Sequence, residues 1–189
     1  MNTEKIIEIT RPCTPCKHYL RRHKNLREAW GHCHRGDWMI CLAQKLGVDV
    51  RVLALAKGLC ANTVRHLMKD PRSVLAVDAA IAFGRGEMGK KELDAAARAA
   101  HAAAADDADA AAADAAAYAA AVAADDAVAV ADAARVVFDV ADAAAYAGVA
   151  FAAASVDARK GVLAKTADIC RDILTEAVMR AALERRKGR

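Results

Sequence analysis

The sequence predicts an all-α fold, and three observations lead to that prediction. Prolines are rare, with only three among the 189 residues. No stretch alternates β-branched and polar residues over the length of a strand. Alanine, the strongest helix former, accounts for 36 of the 63 residues in the range 92–154. We therefore expect a compact head of short helices, followed by a bundle of long Ala-rich helices that a C-terminal amphipathic helix closes.

The head is predicted to cover residues 12–91, because helix start and stop signals recur along this range. Asp37 is expected to cap one helix and Gly47 to end it. Asp70 and Pro71 stand in the N-cap and N1 positions of another helix. The predicted helices of the head cover residues 15–20, 25–33, 38–46, 49–69 and 71–83.

The second part of the chain, residues 92–189, is expected to form one cooperative unit with the head. A single helix over 92–154 would measure roughly 95 Å, which is too long for a compact protein. We expect this stretch to break and reverse at its Asp-Asp pairs, because aspartate is a good N-cap and a poor mid-helix residue. The expected breaks are Asp106-Asp107 and Asp125-Asp126.

A last helix is predicted to start at Ser155 or Asp157 and to clamp the Ala-rich helices. Its apolar residues recur at helical spacing and form one stripe. The stripe comprises Val162, Thr166, Ile169, Cys170, Ile173, Leu174, Ala177, Val178 and Ala181. Ala-lined helices can equally well pack within one chain or across a homo-oligomer.

Charge is distributed unevenly along the chain. The net charge is +9 over residues 1–91, −9 over 92–154 and +4 over 155–189. Attraction between opposite blocks, together with Asp residues that keep an Ala-rich rod soluble, is one interpretation. The other is an acidic surface that imitates nucleic acid or grips a basic patch of a protein.

We expect the protein to be cytoplasmic. The N-terminus lacks the basic start and apolar core of a signal peptide, and no 18-residue window is apolar and free of charge. The six cysteines are then expected to be reduced thiols, which serve packing, metal binding or redox chemistry.

A zinc site is the strongest candidate for chemistry in this sequence. Cys13 and Cys16 form a CxxC pair, and Cys33 with His34 could complete four ligands. The alternative is a purely structural role for these cysteines. A second CxxC pair is missing, and Pro15 is already accounted for as a residue that starts a helix. Thioredoxin-like redox chemistry is not favoured, because no strand precedes the pair.

An anion-binding site is the second candidate. The segment 17–27 is densely basic and includes Arg21 and Arg22; with the turn over 34–37 it could hold a phosphate-bearing ligand. Trp30 and Trp38 bracket this turn and either mark the core of the head or line a pocket together with His34 and Arg35. An ordinary solvated face, or one paired with the acidic block, is the alternative interpretation.

The sequence contains no convincing catalytic constellation. We find no nucleophile with a base, no phosphate-cradling glycine loop and no paired carboxylates at functional spacing. We therefore predict that the protein is not an enzyme.

Several motifs together resemble a known family. These are the Cys-rich start, the run CHRGDWMICL over 33–42, the turn GRGE over 84–87, the long Ala/Asp/Tyr tract and the run ADICRDIL over 167–174. Across residues 12–178 the chain resembles the immunity proteins, Ala-rich helical proteins of bacteria and their phages that are predicted to neutralise toxins. The resemblance implies a small stoichiometric binder in a bacterial host cell.

Three functions remain open at this point. The first is a non-enzymatic inhibitor acting by direct binding, either an immunity protein against a bacterial toxin or a phage counter-defence protein that blocks a host immune effector. The second is a sponge that sequesters an anionic nucleotide signal. The third is a zinc-stabilised module that binds nucleic acid or protein. A toxin or defence effector is the expected partner in the first case, and none of the three involves a membrane.

Overall fold

The computed structural model describes residues 1–63, 65–68, 70–106 and 152–187. Over these residues the fold is all-α, as predicted, with eight α-helices and no strand. The helices are α1 (Thr3–Thr10), α2 (Thr14–Leu20), α3 (Leu26–His32), α4 (Gly36–Leu46), α5 (Val50–Asn62), α6 (Pro71–Arg85), α7 (Lys90–Asp106) and α8 (Ala152–Lys187). A 3₁₀ helix (Arg65–Leu67) follows α5, which is therefore shorter than the helix predicted over 49–69. None of the helices in these ranges has the length and apolar character that a membrane span requires.

Several helix ends follow the capping signals in the sequence. The Asp70 carboxylate accepts a hydrogen bond from the backbone N–H of Arg72 at 2.7 Å, and Pro71 is the first residue of α6. Helix α4 ends at Gly47, whose φ of 83° lies in the left-handed region that favours glycine. These predictions are confirmed because a cap needs only neighbours a few residues away.

The start of α4 differs from the prediction. The helix begins at Gly36, and Asp37 lies in its first turn instead of capping it. The Asp37 carboxylate is 2% exposed and accepts a hydrogen bond from Arg35 Nε at 2.8 Å. A side chain on Gly36 would collide with Thr166 of α8. Contact with a distant helix therefore decides this helix start.

Helix α1 was not predicted, so the head begins before residue 12. Asn2 caps the helix with its side-chain oxygen, and Ile6 and Ile7 are buried in the core. Thr3, Ile6, Ile7 and Thr10 are all buried and follow the i, i+3, i+4, i+7 spacing of an amphipathic helix. This spacing is the signal that the sequence analysis missed.

The C-terminal helix α8 packs against α4 and α5 of the head. Its predicted apolar stripe is largely confirmed, since Cys170, Leu174 and Val178 are fully buried in one cluster with residues of α1 to α5. Ser155 and Asp157 lie inside α8, so neither caps it. The head and the C-terminal helix therefore share one core, although more than a hundred residues separate Cys60 and Ala167, two of its members.

A second core joins α5, α6 and α7 and is built mostly from alanines. Gly58 and Gly84 let the first two helices approach closely. A Cβ on Gly58 would lie 2.8 Å from the Ile81 side chain, and a Cβ on Gly84 would lie 2.7 Å from the Leu55 backbone. Of the predicted break at Asp106-Asp107, only Asp106 is described, as the last described residue of α7, and the break at Asp125-Asp126 lies outside the described part of the chain. The clamping of the Ala-rich helices by α8 stays a prediction.

Candidate partner-binding surface

The basic segment 17–27 forms an exposed surface around the turn between α2 and α3. Helix α2 ends at Leu20, so Arg21 and Arg22 lie in the turn. Lys17, Arg21 and Lys24 therefore do not share one helical face. The exposed cationic and imidazole side chains, here called the basic surface, are His18, Arg21, Arg22, Lys24 and Arg27.

Within the described ranges, most charges of the basic surface have no carboxylate partner. Arg21 Nε lies 3.0 Å from Glu4 Oε1, and both side chains are largely exposed. Among the described residues, no carboxylate pairs with the side chains of Arg22, Lys24 or Arg27. An exposed ion pair contributes little to folding stability, and unpaired cations contribute less.

A row of rings holds this surface in place. Ring centroids are separated by 5.6 Å between Trp38 and Tyr19, 4.7 Å between Tyr19 and His23, and 5.9 Å between His23 and His32. The Tyr19 hydroxyl donates a hydrogen bond to the Ala29 carbonyl at 2.7 Å, and burial raises the pKa of this phenol so that it remains a donor. The rings connect α2, the turn, α3 and α4 beneath the basic surface.

Within the described part of the chain, the two tryptophans line only a small cavity. Trp30 is 3% exposed and belongs to the core of the head, one of the two roles the sequence allowed. Trp30, Trp38 and neighbouring residues enclose a cavity of about 10 Å³, room for about one water molecule. Small-molecule sites usually measure at least about 300 Å³.

The turn over 34–37 presents one exposed side chain, His34, and does not form an anion site. The Arg35 guanidinium forms two hydrogen bonds with the Asp37 carboxylate, at 2.8 and 2.5 Å, and lies 4.7 Å from the centre of the Trp38 ring. Arg35 is therefore committed to the structure of the head, and the six predicted ligand-binding residues do not converge on one site.

The predicted zinc ligands are placed unfavourably for metal. Cys13 and His34 are exposed, whereas Cys16 and Cys33 are buried. Burial, reinforced by the neighbouring Cys13 thiol, raises the pKa of Cys16 to about 12, and burial also raises the pKa of Cys33. Zinc binds the thiolate form. In the described ranges, no group of three or more His, Cys, Asp or Glu residues is arranged to hold a metal ion.

The sequence analysis missed one buried ionisable group. Lys57 of α5 is 5% exposed, and its Nζ donates to Gln44 Oε1 at a long 3.4 Å. Burial lowers the pKa of this amine to about 7. Leu53 and Cys60 stand four residues before and three residues after it on the same apolar stripe, a signal that the sequence does contain.

Comparisons with protein-family models, curated proteins and solved structures found no match to this chain. The resemblance to the immunity proteins stays a prediction.

Proposed function

We propose that the protein is a non-enzymatic inhibitor that binds an acidic face of a partner protein through its basic surface. The observation that carries this proposal is the set of exposed cations around the α2–α3 turn that have no carboxylate partner in the described residues. Complementary charge steers association and selects partners. An immunity protein against a toxin, or a phage protein against a host immune effector, would use such a surface.

The rigidity of the head supports this proposal. The basic surface is backed by the ring row and by the core that α8 completes. A surface that is already ordered loses little conformational entropy on binding, so more of the contact energy appears as affinity. The nucleotide sponge is less well supported, because the tryptophans enclose only about 10 Å³. The zinc module is less well supported, because the described residues assemble no ligand set.

Charge reversal tests the proposal. The variant Arg22→Glu/Arg27→Glu should lose a protein partner that the wild type captures from bacterial cells. The partner is then purified, and its affinity is measured by calorimetry at low and high salt. We expect an equimolar complex that weakens as salt rises, and a loss of at least about tenfold in the double variant. The matched control, Lys91→Glu/Arg98→Glu, reverses two exposed charges on α7 and should bind like the wild type.

Inhibition must accompany binding. The purified partner should lose its activity at one equivalent of wild-type protein and keep it with the double variant. A partner that binds both proteins equally, or turnover of a substrate by the pure protein, would contradict the proposed function.

A further inference from the structure

A second feature of the head is a surface groove of about 400 Å³ where α1 meets α2. It is lined by Ile7, Glu8, Arg11, Pro12 and Lys17. Its volume falls in the range of sites that hold a side chain or small ligand. Lys17 belongs to α2, which continues directly into the basic surface. A bound segment could therefore run from the groove onto that surface.

Arg11 occupies an unusual backbone conformation in this groove. It is the C-cap of α1, with φ 43° and ψ 60°, and it is the one non-glycine residue of the described chain with positive φ. Its N–H donates to the Ile7 carbonyl at 2.9 Å, and its own carbonyl accepts from Lys45 Nζ at 2.9 Å. Glycine or asparagine normally occupies such a position, because a Cβ is strained there. Folding stability alone would favour glycine at this position, so we look for a role of the arginine side chain in binding.

The charges of the groove supply that reason. Arg11 is exposed and Lys17 is half-buried, and no carboxylate of the described residues pairs with either side chain. The one carboxylate in the lining, Glu8, already pairs with Lys5 Nζ at 2.9 Å. Pro12 and the small exposed edge of Ile7, which is otherwise buried in the core, add apolar surface beside the two cations. An acidic side chain next to an apolar one matches this lining.

We propose that the groove binds an acidic segment of the partner protein, with a carboxylate between Arg11 and Lys17 and an apolar side chain against Ile7 and Pro12. This assignment rests on the proposed function and names the chemistry that the partner presents. Arg11 is then the residue at which the protein accepts backbone strain in return for binding.

The test uses the full chain and a terminally blocked peptide of alternating Glu and Leu as the probe. Titration followed by NMR should shift the Arg11 and Lys17 amide signals saturably. Arg11→Gly should weaken peptide binding at least about tenfold while leaving the melting temperature equal or higher, because glycine accepts the left-handed conformation without strain. Arg11→Lys keeps the cation and should retain most of the affinity. Lys91→Ala, an exposed charge on α7, should change nothing.

The outcomes separate this proposal from the proposed function. Peptide binding by Arg11→Gly at wild-type strength would overturn the groove assignment. So would shifts at these amides caused by inorganic phosphate or a thymidine oligonucleotide, with none caused by the peptide. If a partner protein binds Arg11→Gly normally but no longer binds Arg22→Glu/Arg27→Glu, the groove assignment alone is overturned. If the peptide binds in the groove and the double variant still binds every partner of the wild type, the proposed function alone is contradicted.

Discussion

The indole Nε1 of Trp30 donates a hydrogen bond to Thr175 Oγ1 at 2.9 Å, between residues 145 positions apart in the chain. The bond joins α3 to α8 beside the main core. The C-terminal helix is therefore part of the fold of the head, and the basic surface depends on it indirectly.

Thr175→Val should destabilise the protein by about 1 to 3 kcal/mol, because it leaves a largely buried indole N–H without its acceptor. Chemical denaturation followed by circular dichroism measures the change. Thr175→Ser keeps the hydroxyl and should lose much less. Equal stability of Thr175→Val and the wild type would show that the bond does not hold α8 in place.

Gly84→Ala should be destabilising although alanine is the better helix former. The new Cβ would lie 2.6 to 2.7 Å from Leu55, including its backbone, which cannot move without separating α5 from α6. We expect a net loss of about 1 to 3 kcal/mol. The control is Gly161→Ala in α8, where nothing lies within 4 Å, and there we expect a gain of about 0.5 to 1 kcal/mol. Thermal melts of both variants decide the point, and a stabilised Gly84→Ala would contradict the close helix crossing.

Ala80→Leu tests the tight packing of the alanine-lined core. Ala80 is fully buried, and its Cβ would lie 3.2 Å from a Cβ built on Gly58. We expect a loss at or above the upper end of the usual overpacking range, about 3 kcal/mol. Ala95→Leu, at an exposed position of the same Ala-rich kind, should stay within about 0.5 kcal/mol of the wild type. Similar stability of the two variants would mean that this core has room for a larger side chain.

Lys57 should contribute a stability that rises with pH between about 7 and 10.5. The stability of the whole protein should follow this rise up to about pH 9, where the buried cysteines with raised pKa begin to oppose it. Its pKa is about 7 in the folded protein and 10.5 in the reference state, because burial disfavours the ammonium form. Within this window the unfolded chain carries a proton that the folded chain lacks, so raising the pH favours folding. The cost of the lysine is on the order of 5 kcal/mol below pH 7 and vanishes above pH 10.5.

Lys57→Met should remove this pH dependence and stabilise the protein at and below neutral pH. Unfolding by urea over a series of pH values measures both effects. Lys91→Met removes an exposed lysine and should leave the pH dependence of the wild type unchanged. A wild-type stability that is flat between about pH 7 and 9 would contradict a neutral buried amine.

Metal removal should leave the protein unchanged. The described residues bring no three metal ligands together. We expect a chelator to leave the melting temperature where it was, and metal analysis to find zinc well below one equivalent. A stoichiometric zinc content, with unfolding on chelation, would restore the zinc module.

The basic surface could be predicted from sequence as a set of residues but not as a shape. Arg21 and Arg22 are exposed as expected, yet they extend from a turn and not from a helical face. Trp30, expected in the core or in a pocket, took the first role because α8 covers it. The groove at Arg11 could not be foreseen, because it depends on α1, a helix that the sequence analysis missed.

By itself, the sequence determined the all-α class, the caps at Asp70, Pro71 and Gly47, and most of the apolar stripe of α8. Those features depend on backbone propensity and on neighbours within about one helical turn. Only the tertiary structure decided which helices share a core, where α4 begins, and which lysine is buried. Those outcomes depend on contacts between residues far apart in the chain, and helical spacing specifies an apolar face without specifying the surface that covers it.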